Sequence, residues 1–170
     1  MSRRKSAAAS AQRPKVVIER VYRAQAQELW QLWTSKRGFE SWWGPEGFRV
    51  DVRTLEAREG GALHYDMIAA TPEMIEAMAR MGRPSSHATR GRYTEFKRYR
   101  RLAITHLIDF LPGVKAYESV LLVQFFPSGD SVRMVITLQP MHSDDFTRMS
   151  LRGWTSQLAK LHERFAGQQP

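Results

Sequence analysis

Cysteine is absent from this 170-residue chain, which removes disulfide staples, thiolate nucleophiles and every cysteine-based zinc site. Long apolar runs are missing as well. Nothing approaches the roughly 20 consecutive residues that a membrane-spanning helix needs. Between Met1 and Pro14 the only apolar run is Ala7 to Ala9, short of the roughly 7–15 residue core of a signal peptide. The five histidines, His64, His87, His106, His142 and His162, lack the two-histidine helical spacing of a metal site. No nucleophile elbow, phosphate-cradling glycine loop or paired-carboxylate hydrolase signature is present either. These absences lead to the expectation of a soluble cytoplasmic protein with no metal and no cofactor.

Acidic residues are outnumbered, 17 against 26 Lys and Arg, for a net charge of +9. The distribution argues against a nucleic-acid surface. Arg3, Arg4, Lys5, Arg13 and Lys15 supply five of the nine excess charges, in a segment (residues 1–14, with Lys15 just beyond) that has almost nothing to bury and is expected to be disordered. A second basic cluster, Lys97, Arg98, Arg100 and Arg101 around Tyr99, reads as a solvated turn, and no nucleic-acid motif accompanies it.

The remaining length, 15–166, suits one domain, with a flexible end at 167–170. Such a chain is large enough to bury roughly 70% of the surface its unfolded form exposes. Its last stretch organises the rest. From Asp144 to Phe165, Phe146, Met149, Ser150, Gly153, Trp154, Gln157, Leu158, Leu161 and Phe165 recur at three- and four-residue steps, while Asp145, Arg148, Arg152, Lys160 and Arg164 fall largely on the other side. That spacing predicts an amphipathic helix roughly 33 Å long, with Ser143 or Asp144 as its cap. Ahead of it the chain alternates with the period of strands. Lys15 to Arg23, Phe48 to Ala57, Ala62 to Ala69, Ser86 to Lys97, Leu102 to Phe110, Tyr117 to Phe126 and Ser131 to Pro140 make about seven. Two short helices are expected at Gln25 to Trp33 and Ser35 to Trp43, ended by Gly44, Pro45, Glu46 and Gly47. A further helix is expected at Thr71 to Gly82, with Met74, Ile75, Met78 and Met81 as its apolar stripe. The expected architecture is α+β, a long helix lying along a curved antiparallel sheet.

Several motifs then occur in a telling order: Trp33 and Thr34; Trp42, Trp43, Gly44, Pro45, Glu46, Gly47 and Phe48; Arg58 to Gly61; Gly91 to Glu95; Arg101 and Leu102 with Thr105; Gly153 and Trp154. Over about Val16 to Phe165 the chain resembles the START-like (SRPBCC) superfamily and, within it, the homologues of the activator of the heat-shock chaperone ATPase. The resemblance implies a helix-grip fold, whose sheet and C-terminal helix enclose a cavity that takes a lipid, polyketide or other apolar molecule in many relatives. It does not imply one activity, since members include carriers, cyclases, dehydratases and cochaperones. The eukaryotic cochaperones carry a further large domain that engages the chaperone. Here a basic tail precedes the fold, so a chaperone partner is a lesser expectation than a small apolar ligand. The helix at Thr71 to Gly82 interrupts the usual hairpin and is expected at the cavity rim.

Alternation decides which side chains look inward. Leu63, Tyr65 and Met67 form one inner set, with His64 and Asp66 outside. Leu102, Ile104, His106 and Ile108 form another; Leu121, Val123, Phe125, Met134, Ile136 and Leu138 complete the wall, and Trp154 and Leu158 come from the helix. His106 is the informative member, because a polar ring on an apolar face needs a partner such as Tyr65, Tyr93 or a backbone carbonyl. It is either a satisfied core histidine or a group that orients a ligand or moves a proton. Trp42 and Trp43 either close the cavity mouth or anchor their helix to the sheet. Met74, Met78 and Met81 suit an adaptable lid, ordinary packing or a dimer contact. The candidate binding set is therefore Trp42, Tyr65, Met67, Met78, Tyr93, Ile104, His106, Ile108, Val123, Met134, Trp154 and Leu158. The favoured function is binding of a small hydrophobic or aromatic molecule, with no nucleic-acid or membrane partner. The alternatives are an enzyme of cyclase or dehydratase type, using His106 with Tyr93 or Glu95 and requiring a His106 pKa near neutrality, and a protein-interaction module, self-associating or acting on a chaperone ATPase.

Overall fold

A computed structural model describes residues 14–166. Both the expected disordered tail, apart from Pro14, and the expected flexible end at 167–170 lie outside the described residues. Seven strands form one antiparallel sheet: β1 (Val16–Tyr22), β2 (Phe48–Leu55), β3 (Ala62–Ala69), β4 (Ser86–Lys97), β5 (Arg101–Ile108), β6 (Tyr117–Ser128) and β7 (Ser131–Leu138). Their order across the sheet is β1-β7-β6-β5-β4-β3-β2. Consecutive strands therefore pair as hairpins except at β1, which closes onto β7 from the far end of the chain. Two ladder irregularities, between Val52 and Thr54 on β2 and between Tyr93 and Glu95 on β4, supply the local bending by which an extra residue curves a strand.

Four helices complete the fold: α1 (Ala26–Thr34), α2 (Lys36–Glu40), α3 (Pro72–Arg80) and α4 (Asp144–Ala166). Ser143 caps α4, its hydroxyl accepting from the Phe146 amide at 3.1 Å, while Asp144 and Asp145 sit at the positive end of the helix dipole. The burial of α4 is uneven. Trp154, Gln157, Leu158, Leu161 and Phe165 are buried, whereas Met149, expected on the covered face, is 52% exposed. The buried side chains of the helix begin at Trp154. The first half bridges a hollow.

Between α4 and the sheet lies an aromatic core assembled from α1, α2 and the strands. Trp33 is fully buried; its ring meets Trp42 edge-on at 4.8 Å and stacks on Trp154 of α4 at 6.3 Å. Trp42 donates its indole N–H to the Leu32 carbonyl at 2.8 Å, and Tyr93 donates its hydroxyl to the Trp33 carbonyl at 2.7 Å. The polar tips of Trp42 and Tyr93 thus find partners while the rings fill volume. The anchoring reading of Trp42 is the one the structure shows.

Helix α3 starts as the sequence leads one to expect. Pro72 occupies its first turn and the Thr71 hydroxyl accepts from the Met74 amide at 3.2 Å. None of its residues is among those that line the cavity described below. Met78 is buried, Met74 packs over Gly47, and Ile75 and Met81 are exposed. The stripe is split because a nine-residue helix resting beside β3 presents only one narrow line of side chains to it.

Candidate functional site

The hollow under the first half of α4 has a volume of about 220 Å³. Its floor comes from alternating residues of the sheet: Tyr65 and Met67 of β3, Thr89 of β4, His106 and Ile108 of β5, Ser119 and Leu121 of β6, and Leu138 of β7. Its roof is Ser150, Gly153, Trp154 and Gln157 of α4, which the 3.6-residue helical repeat puts on one side. Trp43 and Pro45 close one flank; His87, Phe110, Gln139 and Met141 surround another.

On the floor three polar tips meet. The Trp43 indole N–H donates to the Tyr65 hydroxyl at 3.1 Å, and that hydroxyl lies 3.0 Å from Nε2 of His106. The rings are packed as well as bonded, His106 lying nearly parallel to Trp43 (centroids 6.1 Å, 21°) and perpendicular to Tyr65. Burial drives the His106 pKa down to about 4 and pushes the Tyr65 phenol up, because each loses solvation of its charged form. Both side chains are therefore neutral at pH 7. His87 is displaced downward too, by burial first and by the Arg83 guanidinium second, with Asp109 and Asp66 opposing. Among the described residues no Asp, Glu, Lys or Arg lines the hollow.

Two glycines shape this arrangement. Gly91 is the cross-strand partner of His106, and a Cβ built on it would stand 3.2 Å from the His106 ring carbon Cδ2 and 3.2 Å from the Thr105 carbonyl. Gly91→Ala is therefore expected to push the imidazole off the Tyr65 hydroxyl. The expected result is a loss of roughly 1–3 kcal/mol of stability, typical of overpacking, together with a displaced His106 signal in an imidazole NMR spectrum; an unchanged spectrum would contradict it. Gly44 takes φ +98°, a conformation open chiefly to glycine. Its amide donates to Oε1 of Gln157 at 3.0 Å and its carbonyl accepts from Nζ of Lys160 at 2.8 Å. The neighbouring Glu46 amide donates to the Ser156 hydroxyl at 2.7 Å. These bonds hold the loop against α4 and set Pro45 beside Gly153, where an added Cβ would lie 4.0 Å from the proline ring.

Of the twelve residues singled out from the sequence, Tyr65, Met67, His106, Ile108 and Trp154 line the hollow. Ile104, Val123, Met134 and Leu158 do face inward, but they belong to the solid core beyond it. Trp42 and Tyr93 are in that core too, bonded to backbone carbonyls of α1, and Met78 is buried outside it under α3. Alternation gives the face a residue points to but not how far along the sheet the helix begins to lift away. The suggested acid–base pairing also changes: Glu95 forms a 2.8 Å ion pair with Arg101, and the partner of His106 is Tyr65. A His106 pKa near 4 is not the near-neutral value that the proton-transfer alternative requires. Trp43, expected either at the cavity mouth or as an anchor, lines the hollow, and residues that reading missed include Pro45 and Gln157. The helix expected to reach Trp43 ends at Glu40, and a glutamine on an apolar helix face was the available signal for Gln157.

Solved structures share this fold. An AHSA1 protein from Silicibacter pomeroyi superposes with a TM-score of 0.71 at 20% identity, covering 92% of this chain and 100% of that one. A protein from Chromobacterium violaceum gives 0.69 at 19% identity over 90% and 98% of the two chains, and one from Nitrosomonas europaea gives 0.67 at 18% over 91% and 96%. At such identities the likeness establishes the fold alone. Among curated proteins none matches. The family model described as Activator of Hsp90 ATPase homolog 1-like protein matches residues 23–166, nearly the whole described domain, and the chain belongs to that family, within the START-like (SRPBCC) superfamily.

Proposed function

We propose that the protein binds a small, uncharged, ring-bearing molecule in the hollow between the sheet and helix α4. The observation that carries this reading is a hollow of about 220 Å³ with mainly apolar walls, no charged lining residue and a hydrogen-bonded Trp43–Tyr65–His106 group on its floor. Ligand sites combine apolar area with a few placed polar groups, and their usual range is about 300–1,000 Å³. A dry cavity of about 150 Å³ holds benzene, so this one suits a compact one- or two-ring ligand better than a lipid chain. Apolar burial supplies the affinity at ~25 cal/mol per Å², and the floor supplies the orientation.

The test is extraction and native mass spectrometry of the purified protein, followed by calorimetry with a panel of neutral bicyclic compounds. Gly153→Leu is the informative variant. The new side chain would occupy the hollow from the helix side, and leaving glycine raises helix propensity by roughly 0.8–1 kcal/mol. The expected outcome is binding lost with stability kept or raised. Binding unaffected by that substitution, or absent from the unaltered protein, would overturn the proposal.

A further inference from the structure

The hydrogen bonds on the cavity floor allow one arrangement of protons that would specify the ligand chemistry if the binding reading holds. An indole N–H can only donate, so Trp43 occupies the Tyr65 oxygen as a donor. The phenolic proton then has two acceptors in reach, the Thr89 hydroxyl and His106 Nε2, 3.0 Å away, and in this arrangement it lies on the line to His106. A neutral imidazole carries a single proton, and with Nε2 accepting it sits on Nδ1. The Cδ2 side of the ring is closed by Gly91. Nδ1 is on the other side of the ring, and Ser119, the partner of His106 across the β5–β6 ladder, lines the same hollow. His106 is 8% exposed. No hydrogen bond to Nδ1 forms among the described residues, and it is not one of the fully enclosed side-chain nitrogens left without a partner. In that arrangement the floor presents one donor, held in one tautomer by a relay two residues deep, within walls whose other titratable group is the neutral imidazole of His87.

We infer that the site selects uncharged cyclic ketones or lactones, whose carbonyl oxygen accepts the Nδ1–H of His106 while the ring packs among Trp43, Leu121, Leu138 and Trp154. A carboxylate of the same shape is rejected, because it would be desolvated with no cation beside it. So is the bare hydrocarbon, which leaves the donor unanswered.

The experiment compares three shape-matched probes on the whole chain by calorimetry: α-tetralone, tetralin and 1-naphthoate. α-Tetralone is expected to bind about ten-fold more tightly than tetralin, the equivalent of one good hydrogen bond, and 1-naphthoate more weakly than either. His106→Leu and Tyr65→Phe should each bring α-tetralone down to the tetralin level, the second by releasing the tautomer while leaving the imidazole in place. A ¹⁵N spectrum of the unaltered protein gives a readout independent of any variant's folding: His106 should be protonated at Nδ1, with that resonance moving when α-tetralone is added. Equal affinity for ketone and hydrocarbon, or protonation at Nε2, overturns this inference and leaves the binding reading standing. Failure of all three probes to bind overturns both.

Discussion

Trp33→Ala is expected to lower the unfolding free energy by about 3–5 kcal/mol, the range for truncating a large core aromatic. The residue is 0% exposed and its ring touches those of Trp42, Trp43 and Trp154, so it joins α1, the end of the α2 segment and α4 at one point. Its indole nitrogen has no hydrogen-bond partner among the described residues, and the bond from Tyr93 goes to its backbone carbonyl. The substitution therefore removes packing and leaves the polar contacts in place. At 2–4 °C per kcal/mol for a chain of this size, the melting temperature should fall by roughly 6–20 °C. Urea titration gives the free energy directly. A change under about 1 kcal/mol would mean that α4 is held by something other than this aromatic cluster.

The second large effect is a loss of stability in mild acid. His106 moves from the ordinary value near 6.5 to about 4 on folding, through burial. Between those values the unfolded chain holds more protons at this site than the folded one, so stability rises with pH. The contribution is fully present above pH 6.5, declines as the pH falls, and is gone below about 4. The total is about 3 kcal/mol at 1.36 kcal/mol per pH unit. His87, also displaced downward, adds a smaller change of the same sign. The clean measurement is the difference between the unaltered protein and His106→Leu from pH 7.5 to 4. The variant's stability should depend distinctly less on pH across that window, whatever its stability at neutral pH. Parallel curves would show that the imidazole takes up its proton without leaving its buried position.

The sequence carries much of this fold because its signals are local and repeated. Period two places Leu63 with Tyr65, and Leu102 with Ile104 and His106, on one face, and helical spacing gathers Trp154, Leu158, Leu161 and Phe165. The inward position of His106 and the choice of Tyr65 as one of its candidate partners needed nothing more. The site was less legible because its remaining parts meet only in three dimensions. Trp42 and Trp43 are neighbours beyond the end of α2, where no period says which enters the core and which enters the cavity. Gln157 is needed at Gly44 and Ser156 at Glu46, pairings more than a hundred residues apart that neither segment announces. Where the hollow starts depends on the rise of α4 off the sheet, visible in the exposure of Met149 and the burial of Trp154. The relevant quantity is the distance between two elements, and no pattern within either one encodes it.

Because Gly44 and Glu46 are tied to Gln157, Ser156 and Lys160, the flank closes only after the last segment of the chain has docked. A nascent polypeptide that has not yet emerged past Asp144 can pair its strands but leaves Trp43, Tyr65 and His106 facing water. During synthesis the pocket is thus the final thing to come into being, and a chain cut short before its terminal helix would expose a sticky aromatic surface in place of a covered one.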